Sequence, residues 1–275
     1  MEKALQDFKK QPLLIVSSFL FICLTVWWIY INFFYQNVTT NNKQLYAASY
    51  QVIALFGAII GFWMAQRWGG FNSLLGKALS FFSLGLLLQS FGQSAYSYYI
   101  FFQKIEVPYP SIGDIGYFGS VIAYIFGIFY IAKVSGFRSS WKTLKNKIYF
   151  FVIPIIILGI SYFFFLNGYE FDWSNKLKIF LDFGYPFGQA LYVSMAITTW
   201  VLSKNVLGGI MKKPILFLIF ALVVQYLSDF MFLYQANAGT WNAGELNDLL
   251  YSVSYFFMAV ALIHIRSTFT KIQES

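Results

Sequence analysis

Eight times along this chain a run of about 20 apolar residues recurs, each long enough to cross the hydrocarbon of a bilayer as a helix. The runs cover 13–35, 45–66, 74–102, 112–133, 148–166, 177–202, 214–235 and 246–265. Without water, a backbone in such a run must satisfy its own N–H and C=O groups, and a helix does so within one segment. The expected fold class is therefore all-α: a polytopic membrane protein with eight transmembrane helices and a single integral membrane domain over 1–275. Pro12 opens the first span, where a missing N–H costs little. The third span is long enough to tilt or project. Connections are short, and no linker or low-complexity tract offers room for a soluble domain.

Composition agrees. The 275 residues are 59% hydrophobic and only 11% charged, against about 25% charged in a soluble domain. The net charge of +8 calls for no nucleic-acid partner, because loop Lys and Arg set orientation in a bilayer. Fifteen of the 19 basic residues fall on the side of the N-terminus; the other side holds Lys43, Lys104, Lys176 and Lys178. Both termini are thus expected in the cytoplasm, with the protein multi-pass in the cell membrane. An odd helix count would scramble the partition. The basic stretch from Ser135 to Lys147, with Trp141, reads as the positive-inside anchor, with contact to anionic lipid as the alternative. No cleavable signal peptide is expected, so the first span is retained. Cys23 alone forms no intrachain disulfide.

One motif appears three times. Asp114-Ile-Gly-Tyr117, Asp182-Phe-Gly-Tyr185 and Asp248-Leu-Leu-Tyr251 each read Asp-x-x-Tyr, and they start 68 and 66 residues apart. Residues i and i+3 share a helix face, so each motif presents a carboxylate beside a phenol. All three open spans four, six and eight at the outer side. Stepping back 67 residues from Asp114 reaches Ala47-Ala-Ser-Tyr50, which keeps the Tyr and loses the Asp. Four repeated helical hairpins about an axis normal to the membrane would explain this spacing; chance matching of an abundant Tyr is the alternative.

Carboxylates inside a span are costly unless paired, protonated or neutralised. Asp229 lies two-thirds of the way along span seven, and Asp182 about a turn and a half inside span six. No Lys or Arg occupies the centre of any span. Asp114 and Asp248 lie nearer the surface, where helix capping competes with a binding role. Span six reads Asp182-Phe-Gly184-Tyr185-Pro186-Phe-Gly188-Gln189. Pro186 cannot donate to the Asp182 carbonyl, so Gly184, Pro186 and Gly188 are the expected hinge, with an ordinary proline kink as the bland reading. Gln89, Gln93, Ser94, Gln189, Gln225 and Ser228 reach the same outer half, and Gln225 and Asp229 share a face. Glu106, Glu170, Asp172 and Glu245, with Tyr109, Trp173 and Trp241, line the outer loops. The expected ligand site is an outward-facing acidic cavity formed by Asp114, Tyr117, Asp182, Tyr185, Gln189, Gln225, Asp229, Asp248 and Tyr251.

Other chemistry lacks its parts. A zinc hydrolase needs several His or Cys ligands, and only His264 and Cys23 occur. No histidine stands near to activate a serine, no Lys lies mid-span for a retinal Schiff base, and Gly69-Gly70 and Gly208-Gly209 read as turns. No cofactor or metal is named by the sequence.

The segments Pro110-Ser-Ile-Gly-Asp114-Ile-Gly-Tyr117, Tyr185-Pro186, Ser228-Asp229 and Asn247-Asp248-Leu-Leu-Tyr251 resemble the multi-pass membrane sensor segments that bacteria place before PAS, diguanylate cyclase (GGDEF) or histidine kinase domains. The resemblance covers spans three to eight. It departs from that family at Gln189, where an Asp is usual, and in the absence of a following signalling domain. It implies signal input at the membrane. The chain runs about ten residues past the last span, so a stand-alone sensor or receptor is expected, binding a cation or small polar ligand and signalling to a cytoplasmic or membrane partner. A secondary transporter using the same carboxylates for proton or sodium coupling is the alternative, and a lipid-modifying enzyme a weaker one.

Overall fold

The computed structural model describes residues 11–34, 39–135, 144–203 and 212–273. Every regular element among them is helical. We label eight helices. α1 spans Pro12–Ile29 and continues through a wider turn, Tyr30–Phe34. α2 covers Thr40–Arg67 with a break at Tyr50. α3 is Leu74–Ser97, continued by Tyr98–Gln103. α4 is Gly113–Val134, and α5 is Leu144–Ser161, continued by Tyr162–Leu166. α6, α7 and α8 are Lys176–Ser203, Lys212–Asn237 and Leu246–Gln273. Six of these, α1 to α4, α7 and α8, are long and apolar enough to cross a membrane. α5 has a shorter apolar stretch, Phe151–Leu166, and α6 is diluted by Asp182, Pro186 and Gln189. The eight expected spans thus appear as eight helices, of which six meet that standard.

Local signals start the helices where the sequence supplies them. Pro12 sits in the first turn of α1. The Thr39 hydroxyl accepts the Asn42 N–H, and the Ser73 hydroxyl accepts the Gly76 N–H at 2.8 Å, each satisfying a free helix-end donor. The turn between α2 and α3 passes through Gly69 at φ +88°, a conformation open to glycine at little cost.

The helices form a closed ring. α2 packs on α3, α3 on α4, α4 on α6, α6 on α7, α7 on α8, and α8 back on α2. α1 lies outside the ring against α8, and α5 lies outside against α6. Small residues let rings close in: a Cβ on Gly85 would meet the Tyr124 ring at 2.3 Å, and one on Gly92 the Tyr117 ring at 2.7 Å. In lipid, such van der Waals contact and interhelical hydrogen bonds hold helices together, since lipid tails are as apolar as the side chains.

The ring interior divides along its length. Toward the chain termini it is filled by Met64, Leu79, Phe82, Ile131, Leu218 and Leu262, all fully buried. Buried hydroxyls of Ser80, Ser83, Ser194, Thr198 and Thr199 are scattered among them, and toward the far end, which carries the 104–112, 167–175 and 238–245 loops, buried carboxylates and amides appear as well. The three wider turns that end α1, α3 and α5 also lie there, beginning at Tyr30, Tyr98 and Tyr162. Residues 136–143 of the basic connector, with Trp141, and Lys3, Lys9, Lys10, Lys204 and Gly208-Gly209, fall outside the described residues.

Candidate functional site

Hydrogen bonds follow the helix ring around the far end. Tyr50 on α2 donates to Gln93 Oε1 on α3 at 3.2 Å. Tyr117 on α4 donates to the same oxygen at 2.7 Å. Tyr185 on α6 donates to Asp114 Oδ1 on α4 at 2.8 Å. Tyr192 on α6 donates to Asp229 Oδ2 on α7 at 2.9 Å, and Tyr251 on α8 donates to Asp229 Oδ1 at 2.8 Å. Tyr50 also stands 3.4 Å from Asp248 Oδ1 on α8, which closes the belt. A phenol has one hydrogen, so Tyr50 serves either Gln93 or Asp248 at any moment. One bond crosses the ring: Tyr255 on α8 donates to Gln89 Oε1 on α3 at 2.8 Å, while Gln89 donates to Ser120 on α4 at 2.7 Å.

The Asp-x-x-Tyr motifs therefore work in a staggered way. None of the three tyrosines bonds the carboxylate of its own motif. Tyr117 reaches α3, Tyr185 reaches α4 and Tyr251 reaches α7, and Tyr50 reaches α3 and α8.

Asp229, buried like Asp248, accepts side-chain donors from three helices. Besides the two phenols it accepts Gln225 Nε2 at 3.1 Å, and Gln225 Oε1 accepts the Ser254 hydroxyl at 3.0 Å. Its donors are all neutral. Beside it the Tyr192 ring meets Tyr124 edge-on at 6.0 Å, and the fully buried Tyr124 hydroxyl has no hydrogen-bond partner among the described residues.

Asp114 and Asp248 combine capping with the belt. Asp114 Oδ2 accepts the Ser111 N–H at 2.7 Å, reaching back to the start of α4, as in a capping box. Asp248 Oδ2 accepts the Gly244 N–H at 2.6 Å. Gly244 has φ +75°, and a Cβ there would press on Lys43 at 2.9 Å, so the loop before α8 needs glycine twice over. Tyr50 and Tyr251 stack at 6.2 Å and 10°, joining the Asp248 and Asp229 surroundings.

Asp182 stands apart. It receives the Tyr109 hydroxyl at 2.7 Å and the Tyr169 hydroxyl at 2.6 Å, both from loops. The bond to Asp182 holds the Tyr169 phenol proton more tightly, with its pKa pushed up to about 12. Burial and the Asp182 hydrogen bond likewise raise Tyr109. Gln189 is buried on α6 between Tyr185 and Tyr192, and no side-chain hydrogen bond ties it to the belt among the described residues.

The residues of the expected hinge also pack between helices. α6 runs unbroken through Pro186. A Cβ on Gly184 would meet the Phe118 ring at 2.8 Å, and one on Gly188 the Val121 side chain at 2.6 Å. One turn apart, these glycines seat α6 against α4, as small-x-x-x-small pairs do in membranes. The loop acids lie outside the belt: Glu106 and Glu170 are exposed, and Asp172 accepts Ser174, whose hydrogen bonds hold its carboxyl below the usual range.

Gln89 and Gln93, expected in the same outer half, and Tyr50, the tyrosine kept in the motif spacing, join the hydrogen-bonded groups, and Tyr192, Tyr255 and Tyr169 do so beyond the residues expected from sequence. Helical spacing carried the signal for some of them: Tyr185, Gln189 and Tyr192 lie on one stripe of α6, and Tyr251 and Tyr255 are a turn apart on α8. No protein-family model, curated protein or solved structure matches the chain.

Proposed function

We propose that this chain is an eight-span membrane sensor or receptor module with both termini in the cytoplasm. Its far-end belt responds to a proton, a metal cation or a small amine at the outer face and passes the change to a cytoplasmic or membrane partner. The observation that carries this reading is Asp229, a buried carboxylate held by neutral donors from α6, α7 and α8. A charge so placed is costly unless neutralised, and neutralising it changes what three helices bond to at once. Tyr50 offers a relay, because one hydrogen is shared between acceptors on α3 and α8. The resemblance to bacterial sensor segments points the same way.

The regular spacing of the motifs supports four repeated hairpins. So do the wider turns at Tyr30, Tyr98 and Tyr162, spaced 68 and 64 residues apart. The sensor reading is preferred to a transporter because the buried carboxylates and amides among the described residues gather toward the far end, whereas the other half holds buried hydroxyls alone, such as Ser80, Ser83, Ser194 and Thr198.

The test is a thermal-shift titration of the purified chain with pH, monovalent and divalent cations and small amines, beside Asp229→Asn and Asp182→Asn. A ligand selective for the folded state raises apparent stability with concentration. A saturable shift in the wild type that is lost in Asp229→Asn, with no solute flux in liposomes, is the expected result. Wild type and Asp229→Asn that respond alike would sink the reading, and flux lost in Asp229→Asn would replace it with transport.

A further inference from the structure

Away from the belt, α5 and α6 part to leave a groove of about 550 Å³. That lies within the ~300–1,000 Å³ of common small-molecule sites. Its walls are apolar, with Leu158 and Leu166 from α5 and Ile179, Phe183 and Phe187 from α6. Phe187 is 57% exposed, so the groove opens sideways, and around a spanning bundle that means acyl chains.

The α6 wall is one helical stripe, because 179, 183 and 187 are spaced by four. Lys176 heads this stripe, three residues before Ile179, and is exposed. In the loop before α6, Trp173 stacks on Phe171 at 5.5 Å and 13°, and Phe171 stacks on Phe183 at 5.6 Å and 20°. Phe171 also lines the groove. An apolar slot thus ends in an ammonium and an indole, which is the order of chemistry along a phospholipid from chain to headgroup. Lys178 faces elsewhere, within electrostatic reach of Asp172.

We infer that the α5–α6 groove holds one acyl chain of an anionic phospholipid, with the headgroup phosphate on Lys176. This site is separate from the Asp229 centre but rests on the eight-span reading.

The test uses the whole chain, purified in mild detergent and washed free of lipid. Native mass spectrometry follows titration with phosphatidylglycerol or phosphatidylcholine of matched chains. One phosphatidylglycerol is expected to saturate first, about fivefold tighter than phosphatidylcholine, the worth of one basic side chain at an anionic lipid. Lys176→Gln makes the two lipids equal. Leu158→Trp, which fills the slot, abolishes saturable binding of both. Because that variant could misfold, a phosphatidylglycerol with a photoreactive acyl chain is also crosslinked to the wild type. Labels are expected on residues 158–166 and 179–187. Labelling elsewhere, or undiminished binding by folded Leu158→Trp, overturns the site, as does a dimer that excludes the label. Retained preference in Lys176→Gln overturns the headgroup assignment. Resistance to alkaline carbonate extraction tests the span reading by itself: a chain released by carbonate fails that reading, whereas a retained chain labelled elsewhere fails only this inference.

Discussion

Tyr185 gives its hydroxyl hydrogen to Asp114, 71 residues earlier and one helix away, at 2.8 Å. Asp182, one turn before Tyr185 on its own helix, is bonded instead by Tyr109 and Tyr169. Residues in contact couple energetically by about 0.5–3 kcal/mol, and residues without shared partners add. A double-mutant cycle on Tyr185→Phe with Asp114→Asn should therefore show coupling in that range. The cycle on Tyr185→Phe with Asp182→Asn, which share a helix face but no hydrogen bond, should show the smaller coupling. Denaturation in detergent reads both, and the reverse order of couplings would refute the staggered arrangement.

Asp229 should be the least replaceable belt acceptor. Asp229→Ala leaves the Tyr192, Tyr251 and Gln225 donors without their acceptor, and an unsatisfied buried donor costs about 1–3 kcal/mol. Tyr192→Phe removes one donor and leaves Asp229 two, at the scale of an interhelical bond in lipid, about 0.6 kcal/mol. Melting temperatures should fall far more for Asp229→Ala; equal drops would mean that Asp229 does not organise the three helices.

Glycine substitutions should divide by location. Gly188→Leu forces a side chain into Val121, 2.6 Å from the ideal Cβ, and overpacking costs typically about 1–3 kcal/mol. Gly159 has open space around its ideal Cβ, so Gly159→Ala should stabilise by up to about 1 kcal/mol through helix propensity. Stability curves for the pair check this, and a neutral Gly188→Leu would contradict the α6–α4 seating.

Tyr169 sets a pH signature outside the spans. Its pKa is raised to about 12 by the bond to Asp182, above the ordinary phenol value of about 10. The folded chain thus keeps a proton that the unfolded chain has lost between those values. The stabilisation is fully present below pH about 10 and disappears as pH rises through about 12. The ultraviolet difference between wild type and Tyr169→Phe should show a tyrosinate transition near pH 12. A transition near 10 would show that the bond to Asp182 is absent in solution.

The helices were legible because most repeat one strong signal, a long apolar run; α5 and α6 carry it in shorter or diluted form. The carboxylates stood out for the same reason, as rare charges in apolar sequence. Their partners did not. Spacing of three residues puts Asp182 and Tyr185 on one face, but which neighbour that face meets depends on ring order, and no local pattern specifies that α6 lies between α4 and α7. Tyr192 and Tyr255 looked like two more aromatics in a chain with 20 tyrosines; only the positions of Asp229 and Gln89 give them a role. Gly184 and Gly188 flank a proline and read as a hinge, while their spacing of four carried the packing message. The α5–α6 groove had no sequence signal, because its walls come from two helices whose separation is a tertiary fact.

The contact of α8 with α2 has a bearing on biogenesis. Tyr50 and Gln89 emerge early in synthesis, yet Asp248 and Tyr255, which meet them, follow 198 and 166 residues later on α8. Until that helix enters, the nascent bundle carries buried phenols and amides with their final partners missing, a state that lipid penalises. Insertion of α8 is then the step that converts a loose assembly into a sealed one, and a chain halted before it would present those unpaired groups to membrane proteases and chaperones as the mark of an unfinished product.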